Sequence, residues 1–224
     1  MSTLLQLCNR LIVEAGISAQ PMTTTVNQTG ELGRVVNWIQ QAWLDIQSAH
    51  TTWRWMRKTA TIATVAGQAG GYDATDADVS VWTLDTARNY VTAQGDITEV
   101  FMSFVEYDDF RNSYLYGALR YAQSRPMVFT IAPDNTLSFG PVPNGDHTVT
   151  SDYYKKPIEM DGDTDEPDMP ATYHIGIVWR ALMFYGGFEA AGEAYSRGQN
   201  EYTVILDKLE ATQLPMLQMG GPLA

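Results

Sequence analysis

Helical patterns occupy both ends of the chain, and strand patterns occupy its middle. Residues 1–57 and 157–214 follow the spacing of amphipathic helices, whereas residues 58–156 are rich in Thr, Val, Tyr and Gly. Two helical segments so far apart in sequence complete a core by burying their apolar faces against each other. We therefore predict an α+β fold, in which a helical bundle body built from the N- and C-terminal helices carries an inserted β-rich region.

The first part of the body, residues 1–57, contains two predicted helices. One covers residues 2–16 and ends at Gly16, because glycine favours helix C-termini. The other runs from about Gly30 to His50. Its apolar residues, together with a later tryptophan, form one stripe that we expect to be buried: Leu32, Val35, Val36, Ile39, Trp43, Ile46 and Trp53.

Four of the six tryptophans lie between Val35 and Lys58. Trp43 and Trp53 belong to the apolar stripe, and we expect them in the core. Trp38 lies at the margin of the stripe, Trp55 lies beyond it, and Leu44 stands alone on the polar face. Protein interfaces are enriched in aromatic residues. We predict three subunit-interface candidates: Trp38, Leu44 and Trp55.

The insertion, residues 58–156, contains six predicted strands separated by turn sequences. They are KTATIATVAG, VSVWTL, DITEVFMSF, PMVFTIAP, NTLSFGPVP and HTVTSDYYKKP. We expect the last three to form a meander. The segment VEYDDFRNSYLYG predicts a short helix whose apolar residues cover one face of the sheet: Tyr107, Phe110, Tyr114 and Leu115.

Residues 157–214 predict one long helix that completes the body. Asp168 is a predicted N-cap, and Pro170 suits the first turn because that position needs no N–H. A break or bend is expected near Gly186 and Gly187. An extended tail, residues 215–224, follows the helix.

The charge of the chain argues against tight DNA binding. Asp and Glu number 26 against 14 Lys and Arg, so the net charge is −12 and most of the surface repels phosphate. Such a surface suits the wall of a channel through which DNA slides without sticking.

Residue patterns typical of enzymes are weak in this sequence, and we predict no catalytic, cofactor or metal site. The acidic loop 161–168 begins like a calcium-binding loop but lacks its glycine and its last glutamate, so we expect a solvated loop that favours a helix N-terminus. Calcium binding stays open as an alternative. The single thiol is expected to be buried and inert, and the histidines structural: Cys8, His50, His147 and His174.

Three segments resemble tail adaptor proteins of tailed bacteriophages, the head-to-tail connectors beneath the portal. They are LLQLCNRLIVEAGI, QTGELGRVVNWIQQAWLDIQSAHTTWRWMRK and MPATYHIGIVWRALMFYGGFEAAGEAY, and RPMVFTIAPDNTLSFGPVP with YYKKP is similar to the strand region of that family. The resemblance spans most of the chain. It implies a non-enzymatic virion protein that assembles in the host cytoplasm into a homo-oligomeric ring on the portal, commonly a dodecamer.

The same resemblance implies that the ring extends the channel through which DNA passes during ejection, without specific DNA binding or a membrane. It also implies a platform for the next tail or nozzle protein. In such adaptors the C-terminal segment reaches into the portal, and apolar residues are costly to leave in water. The portal-binding candidates are Leu214, Pro215, Met216, Leu217, Met219 and Leu223.

Other functions stay open at this point. The chain could be a tail completion or tail-tube terminator protein, which binds the tail instead of the portal. From a different class, it could be a small ligand-binding protein or hydrolase with a groove formed by Trp82, His147, Tyr153 and Tyr154. A cell-wall-degrading enzyme would need paired carboxylates in a cleft, and no pair stands out from the acidic background.

Overall fold

The computed structural model describes residues 2–74 and 78–215, which contain both α-helices and β-strands. The predicted α+β class is confirmed. The chain divides into two compact units. The helical unit contains the residues before Arg57 and after Lys156, and the β unit runs from Arg57 to Lys156.

All but one of the α-helices belong to the helical unit, the exception being α3. In chain order the helices are α1 (Leu4–Ala15), α2 (Gly30–Ala49), α3 (Tyr107–Phe110), α4 (Ile175–Phe188) and α5 (Gly192–Gln213). Helix α4 packs against α1, α2 and α5, and its buried residues surround its axis. A helix that is apolar all round lies inside a bundle.

Local signals in the sequence explain both ends of α1. Gln6 N–H donates to the Thr3 hydroxyl over 3.3 Å, and Thr3 N–H donates to Gln6 Oε1 over 3.2 Å, which satisfies two backbone donors at the helix start. Gly16 closes the helix in the left-handed region, with φ of 66°. The predicted end of this helix is confirmed.

The predicted stripe of α2 is largely buried. Trp53, which follows the helix, is 0% exposed, and its Nε1–H donates to the Ile46 carbonyl over 2.8 Å. Leu32 is half-buried at one end of the stripe. Gln47 is a polar residue outside the predicted apolar stripe, yet it is 1% exposed. Its amide donates to the Ile158 carbonyl and accepts from the Ile158 N–H, at 2.9 and 3.1 Å, so its polar groups are satisfied in the core.

The predicted C-terminal helix is divided into two helices, and the break that was expected near Gly186 and Gly187 is present. The break lies after Phe188, and Ala190 adopts a positive φ of 53°. Asp168 is not at an N-cap position: a short 3-10 turn at Ala171–Tyr173 precedes α4, and Pro170 is the residue before that turn. Both expected break points, Gly186 and Gly187, lie inside α4.

Glycines allow α4 and α5 to approach closely. A Cβ atom on Gly186 would lie 2.6 Å from the backbone nitrogen of Tyr195, and one on Gly198 would lie 2.9 Å from the carbonyl oxygen of Trp179. Real Cβ atoms do not approach other atoms so closely. Gly186 therefore permits the helix crossing and does not break the helix.

The β unit contains short strands in separate sheets. The strands are β1 (Arg57–Ala63), β2 (Val79–Trp82), β3 (Arg88–Val91), β4 (Val100–Phe101), β5 (Ser103–Phe104), β6 (Gln123–Ser124), β7 (Val128–Ile131), β8 (Leu137–Gly140), β9 (Val142–Pro143) and β10 (His147–Lys155). The largest sheet has the order β1-β10-β3-β4, with β2 also paired to β10. A second sheet has the order β5-β7-β8, and β6 pairs with β9.

The predicted meander was wrong in its last strand. Strands β7 and β8 pair as an antiparallel hairpin, as expected, but β10 pairs with β1, β2 and β3. The free side of β8 is covered instead by the segment Ala69–Tyr72. Leu137 and Tyr72 exchange backbone hydrogen bonds of 2.7 and 3.1 Å, and Phe139 N–H donates to the Ala69 carbonyl over 2.6 Å.

Aromatic side chains form much of the core of the β unit. The rings of Tyr72 and Phe139 lie 4.8 Å apart, and those of Trp82 and Tyr153 lie 5.5 Å apart. The predicted short helix is α3 followed by a wider helical turn at Arg111–Leu115, and it buries Phe110 fully. Two strands, β3 and β6, lie outside the six predicted strand segments.

Candidate assembly surfaces

Trp38 belongs to an aromatic cluster between α2 and α4. Its ring lies 5.9 Å from that of Tyr185 and 5.8 Å from that of Phe188. The Arg34 guanidinium lies 4.7 Å from the centre of the Phe188 ring, which is 57% exposed. These four residues, Arg34, Trp38, Tyr185 and Phe188, are called the aromatic patch below. Sequence reasoning singled out Trp38 and missed the two α4 residues, although their i, i+3 spacing places them on one helix face.

Trp55 lies elsewhere, against Trp53. The two indoles are stacked, with centres 4.5 Å apart and an angle of 21° between their planes. Trp55 is half-buried, and its Nε1–H is buried without a hydrogen-bond partner among the described residues. Trp38 and Trp55 share no ring contact, so the structure does not join the predicted interface residues into one aromatic cluster.

Leu44 is half-buried on a face of α2 that is less exposed than predicted. The next residue, Asp45, accepts hydrogen bonds from Arg180 of α4 at 2.7 and 3.0 Å. Part of the predicted polar face of α2 is therefore occupied by contacts with α4. The role of Leu44 in a subunit contact stays a prediction.

Only the beginning of the predicted portal-binding tail lies within the described residues. Leu214 is half-buried, its N–H donates to the Glu210 carbonyl over 3.1 Å, and its backbone is extended with φ of −88° and ψ of 151°. Pro215 is exposed. The other candidates lie outside the described residues: Met216, Leu217, Met219 and Leu223.

The acidic loop 161–168 forms hydrogen bonds with other segments of the helical unit. Asp163 Oδ1 accepts from the backbone N–H and the hydroxyl of Thr25, both at 2.5 Å, and these bonds hold the pKa of Asp163 below its ordinary value. The carbonyls of Asp165 and Asp163 accept from Leu4 and Leu5 N–H at 2.8 and 3.3 Å. The loop thus satisfies donors at the start of α1, whereas the sequence predicted that it favours the N-terminus of the helix that follows it.

The loop has no arrangement of ligands that points to a metal. Asp165 Oδ2 accepts from the N–H groups of Asp161 and Gly162, at 2.9 and 2.8 Å. Across residues 2–74 and 78–215, no group of three or more His, Cys, Asp or Glu side chains could hold a metal ion.

Each histidine has neighbours that serve the fold. His50 Nε2 lies 2.9 Å from Glu210 Oε1, and its ring packs edge-on against Trp53. His174 accepts from Ser2 N–H at Nδ1 and donates to the Met169 carbonyl from Nε2, at 3.1 and 3.0 Å. Burial, followed by the nearby charge of Arg125, lowers the pKa of His147.

Cys8 is a buried free thiol in α1. Burial, with a smaller contribution from the charge of Asp163, raises the pKa of Cys8 to about 12. Because the thiolate is the nucleophile, this thiol is unreactive at neutral pH.

The described residues do not form the groove that the ligand-binding alternative predicted around Trp82, His147 and Tyr153. Trp82 and Tyr153 are buried against each other in the core, and the Tyr153 hydroxyl donates to Asp78 over 2.6 Å. His147 lies at the opposite end of β10 from Tyr153. An open depression of about 330 Å³ lies elsewhere in the β unit, lined mainly by Thr and Ser side chains and by two ion pairs: Arg57 with Asp152 and Arg88 with Glu99.

The comparisons with known proteins agree with the resemblance drawn from the sequence. A family model described as SU10 adaptor protein matches residues 2–222, which confirms the predicted family. No curated protein matches the chain. In the part of the chain that the structure describes, no helix has the length and apolar character needed to cross a membrane.

Proposed function

Because the chain belongs to the SU10 adaptor protein family and is a structural phage adaptor, we propose that its copies form a ring, as a dodecamer, beneath the portal. The ring extends the DNA channel and offers the attachment platform for the next tail or nozzle protein. The chain assembles in the host cytoplasm and resides in the neck of the virion. The family match over residues 2–222 carries this proposal.

The helical unit supports a role in contacts with other proteins. Helix α4 is surrounded by its neighbours, while α5 buries only Gly198 and Leu209. Most of α5 therefore remains available for contacts with other proteins.

The aromatic patch supports a contact between neighbouring subunits. Phe188 exposes 57% of its surface although Trp38 and Arg34 hold its ring in place. A fixed, exposed aromatic ring loses little conformational entropy when a partner covers it. We assign this patch to the neighbour in the ring, with Leu44 and Trp55 as further contact residues.

The net charge of −12 supports a channel that does not hold DNA. Like charges on the protein and on the phosphate backbone repel each other, so passage is not slowed by specific contacts. An adaptor that bound phosphate tightly would oppose DNA ejection.

The C-terminal tail is the proposed portal contact. Helix α5 ends at Gln213, and Leu214 continues in an extended conformation toward the exposed Pro215. The segment beyond has the sequence MLQMGGPLA, which contains no charged side chain. Apolar side chains in such a segment gain free energy when a partner removes them from water.

Deleting residues 216–224 tests this contact and leaves the half-buried Leu214 in place. We expect the shortened chain to keep the melting temperature of the full chain but to lose co-sedimentation with the portal ring of the same phage. A matched control replaces Gln218 by Ala, which keeps the apolar residues and should bind normally. A shortened chain that binds the portal as well as the full chain would rule out the tail contact. Binding to the tail tube and not to the portal would instead identify a tail completion protein.

A further inference from the structure

Strand β1 is an open edge of the largest sheet in the β unit. It pairs with β10 on one side, and the sheet order places it last. Thr59, Thr61 and Ala63 are exposed, whereas Ala60 and Ile62 face the core and are each 5% exposed. An unpaired strand of this length is a site at which another strand adds by backbone hydrogen bonding.

The register of β1 and β10 identifies the backbone groups that point outward. Thr64 N–H donates to the His147 carbonyl over 2.8 Å, in step with the strand pairing, so even-numbered residues of β1 face β10. On the other side of β10, Thr83 N–H donates to the Asp152 carbonyl over 2.9 Å, which agrees with this alternation. The N–H and C=O groups of Thr59, Thr61 and Ala63 therefore point away from the sheet, and no described residue bonds them.

Two other strand edges of this unit are covered by neighbouring segments. The Asn135 amide donates to the Val79 carbonyl at the edge of β2 over 3.2 Å. The segment Ala69–Tyr72 covers β8 through backbone hydrogen bonds. The open edge of β1 itself ends at Val65, whose N–H donates to the Tyr72 hydroxyl over 3.0 Å.

The charge around β1 favours a second copy of this acidic chain at this edge. Residues 59–64 are uncharged, and the two cations before them are neutralised by ion pairs, Arg57 with Asp152 at 2.6 Å and Lys58 with Asp78 at 3.1 Å. Two copies that each carry a net charge of −12 can approach here with little repulsion between the contacting residues.

We propose that two copies of the chain pair through β1, antiparallel and about a two-fold axis at Thr61. In this register Thr59 faces Ala63 of the second copy and Thr61 faces its own counterpart, so the outward residues exchange both backbone hydrogen bonds. On the inner face, Ala60 faces Ile62 of the second copy, which places apolar side chains together. A register shifted by one residue per strand would instead place Lys58 against Ile62.

The contact is small, because the paired segment covers only residues 59–63. Stable interfaces bury about 1,600 Å² in total, and a single strand pair buries far less. We therefore expect monomers in dilute solution and pairs as the concentration rises. The pairing concerns the free chain and does not depend on the proposed portal ring.

Disulfide trapping tests the register in the full-length chain. Residues that face each other in a hydrogen-bonded antiparallel pair have Cα atoms about 5.5 Å apart, which suits a disulfide. We expect Thr61→Cys to form a covalent dimer under oxidised glutathione roughly tenfold faster than Thr59→Cys, because only the first pair lies within disulfide reach. In the matched control the two Thr59 residues are four positions apart along the strand, or roughly 14 Å. Cys8 is buried and contributes little background.

Two further variants keep the test decisive. A mixture of Thr59→Cys and Ala63→Cys chains should cross-link to each other, although neither should cross-link alone. Adding Ala63→Pro to Thr61→Cys should reduce trapping to the control rate, because proline removes an outward N–H and leaves the β10 ladder intact. Equal, slow trapping of Thr61→Cys and Thr59→Cys in folded chains, or unchanged trapping with Ala63→Pro, would overturn the proposal.

Discussion

Replacing Gly186 by Ala tests the close crossing of α4 and α5. A Cβ atom at this position would lie 2.6 Å from the nitrogen, 2.8 Å from the Cα and 2.9 Å from the Cβ of Tyr195. The first two atoms belong to the backbone of α5 and cannot rotate away. The neighbouring Gly187 is a matched control, since a Cβ atom there meets nothing within 4 Å.

The two substitutions share one favourable effect and differ in one unfavourable effect. Ala is better than Gly inside a helix by about 1 kcal/mol, and this gain applies to both positions. Overpacking costs about 1–3 kcal/mol and applies only at Gly186. The free energies of unfolding of the two variants should therefore differ by about 1–3 kcal/mol, with Gly187→Ala above the wild type. For a chain of this size the difference corresponds to roughly 3–10 °C in Tm.

Guanidinium and thermal unfolding followed by far-UV circular dichroism measure this difference. Tryptophan fluorescence adds a view of the helical unit, where five of the six tryptophans lie. Equal stability of the two variants would show that α4 and α5 do not cross at Gly186, and the helical packing described above would then be wrong.

Two other predictions follow from the loop and the thiol. Asp163→Asn should lower Tm at pH 7, while Asp161→Asn, whose carboxylate makes none of these bonds, should not. The pKa of Asp163 is lowered in the folded chain, so its carboxylate stabilises the fold fully above the ordinary aspartate pKa of about 3.9. This stabilisation disappears as the pH falls through the lower folded-state pKa. A difference in Tm between Asp163→Asn and the wild type that stays unchanged at low pH would contradict this. Because the pKa of Cys8 is raised to about 12, a thiol reagent at pH 8 should label Cys8 only after denaturant is added. Rapid labelling of the native chain would contradict the buried position of this thiol.

Local patterns made much of the helical structure predictable. The buried stripe of α2 and the end of α1 at Gly16 depend on residues within one or two turns of each other, and periodicity and capping record such information directly. The family could be identified because its similarity spans most of the chain. The division of the chain into body and insertion at residues 57 and 157 stays a prediction.

Features that depend on distant residues escaped prediction. Gly186 looks like a helix breaker in sequence, yet its role is set by Tyr195 on another helix. Gln47 looks polar and exposed, yet Ile158 satisfies its amide in the core. The partners of β10 are three strands that lie far before it in the chain; Arg57 of β1, for example, pairs with Tyr154. Strand periodicity does not encode such pairing.

The candidate surfaces were predictable only in part. Trp38 was identified from its position at the edge of a stripe, but the exposed Phe188 beside it was not, because its proximity requires the packing of α4 against α2. The open edge of β1 could not be recognised before its partner strand was known. The interface and tail residues remain predictions that binding experiments must test.

The most direct test of the proposed ring beneath the portal is the mass of the purified chain in analytical ultracentrifugation, alone and with the portal ring of the same phage. We predict that the dilute chain sediments well below the mass of a ring and joins the portal in about portal stoichiometry. A chain that leaves the portal unchanged at every concentration tested would contradict the proposed ring beneath the portal.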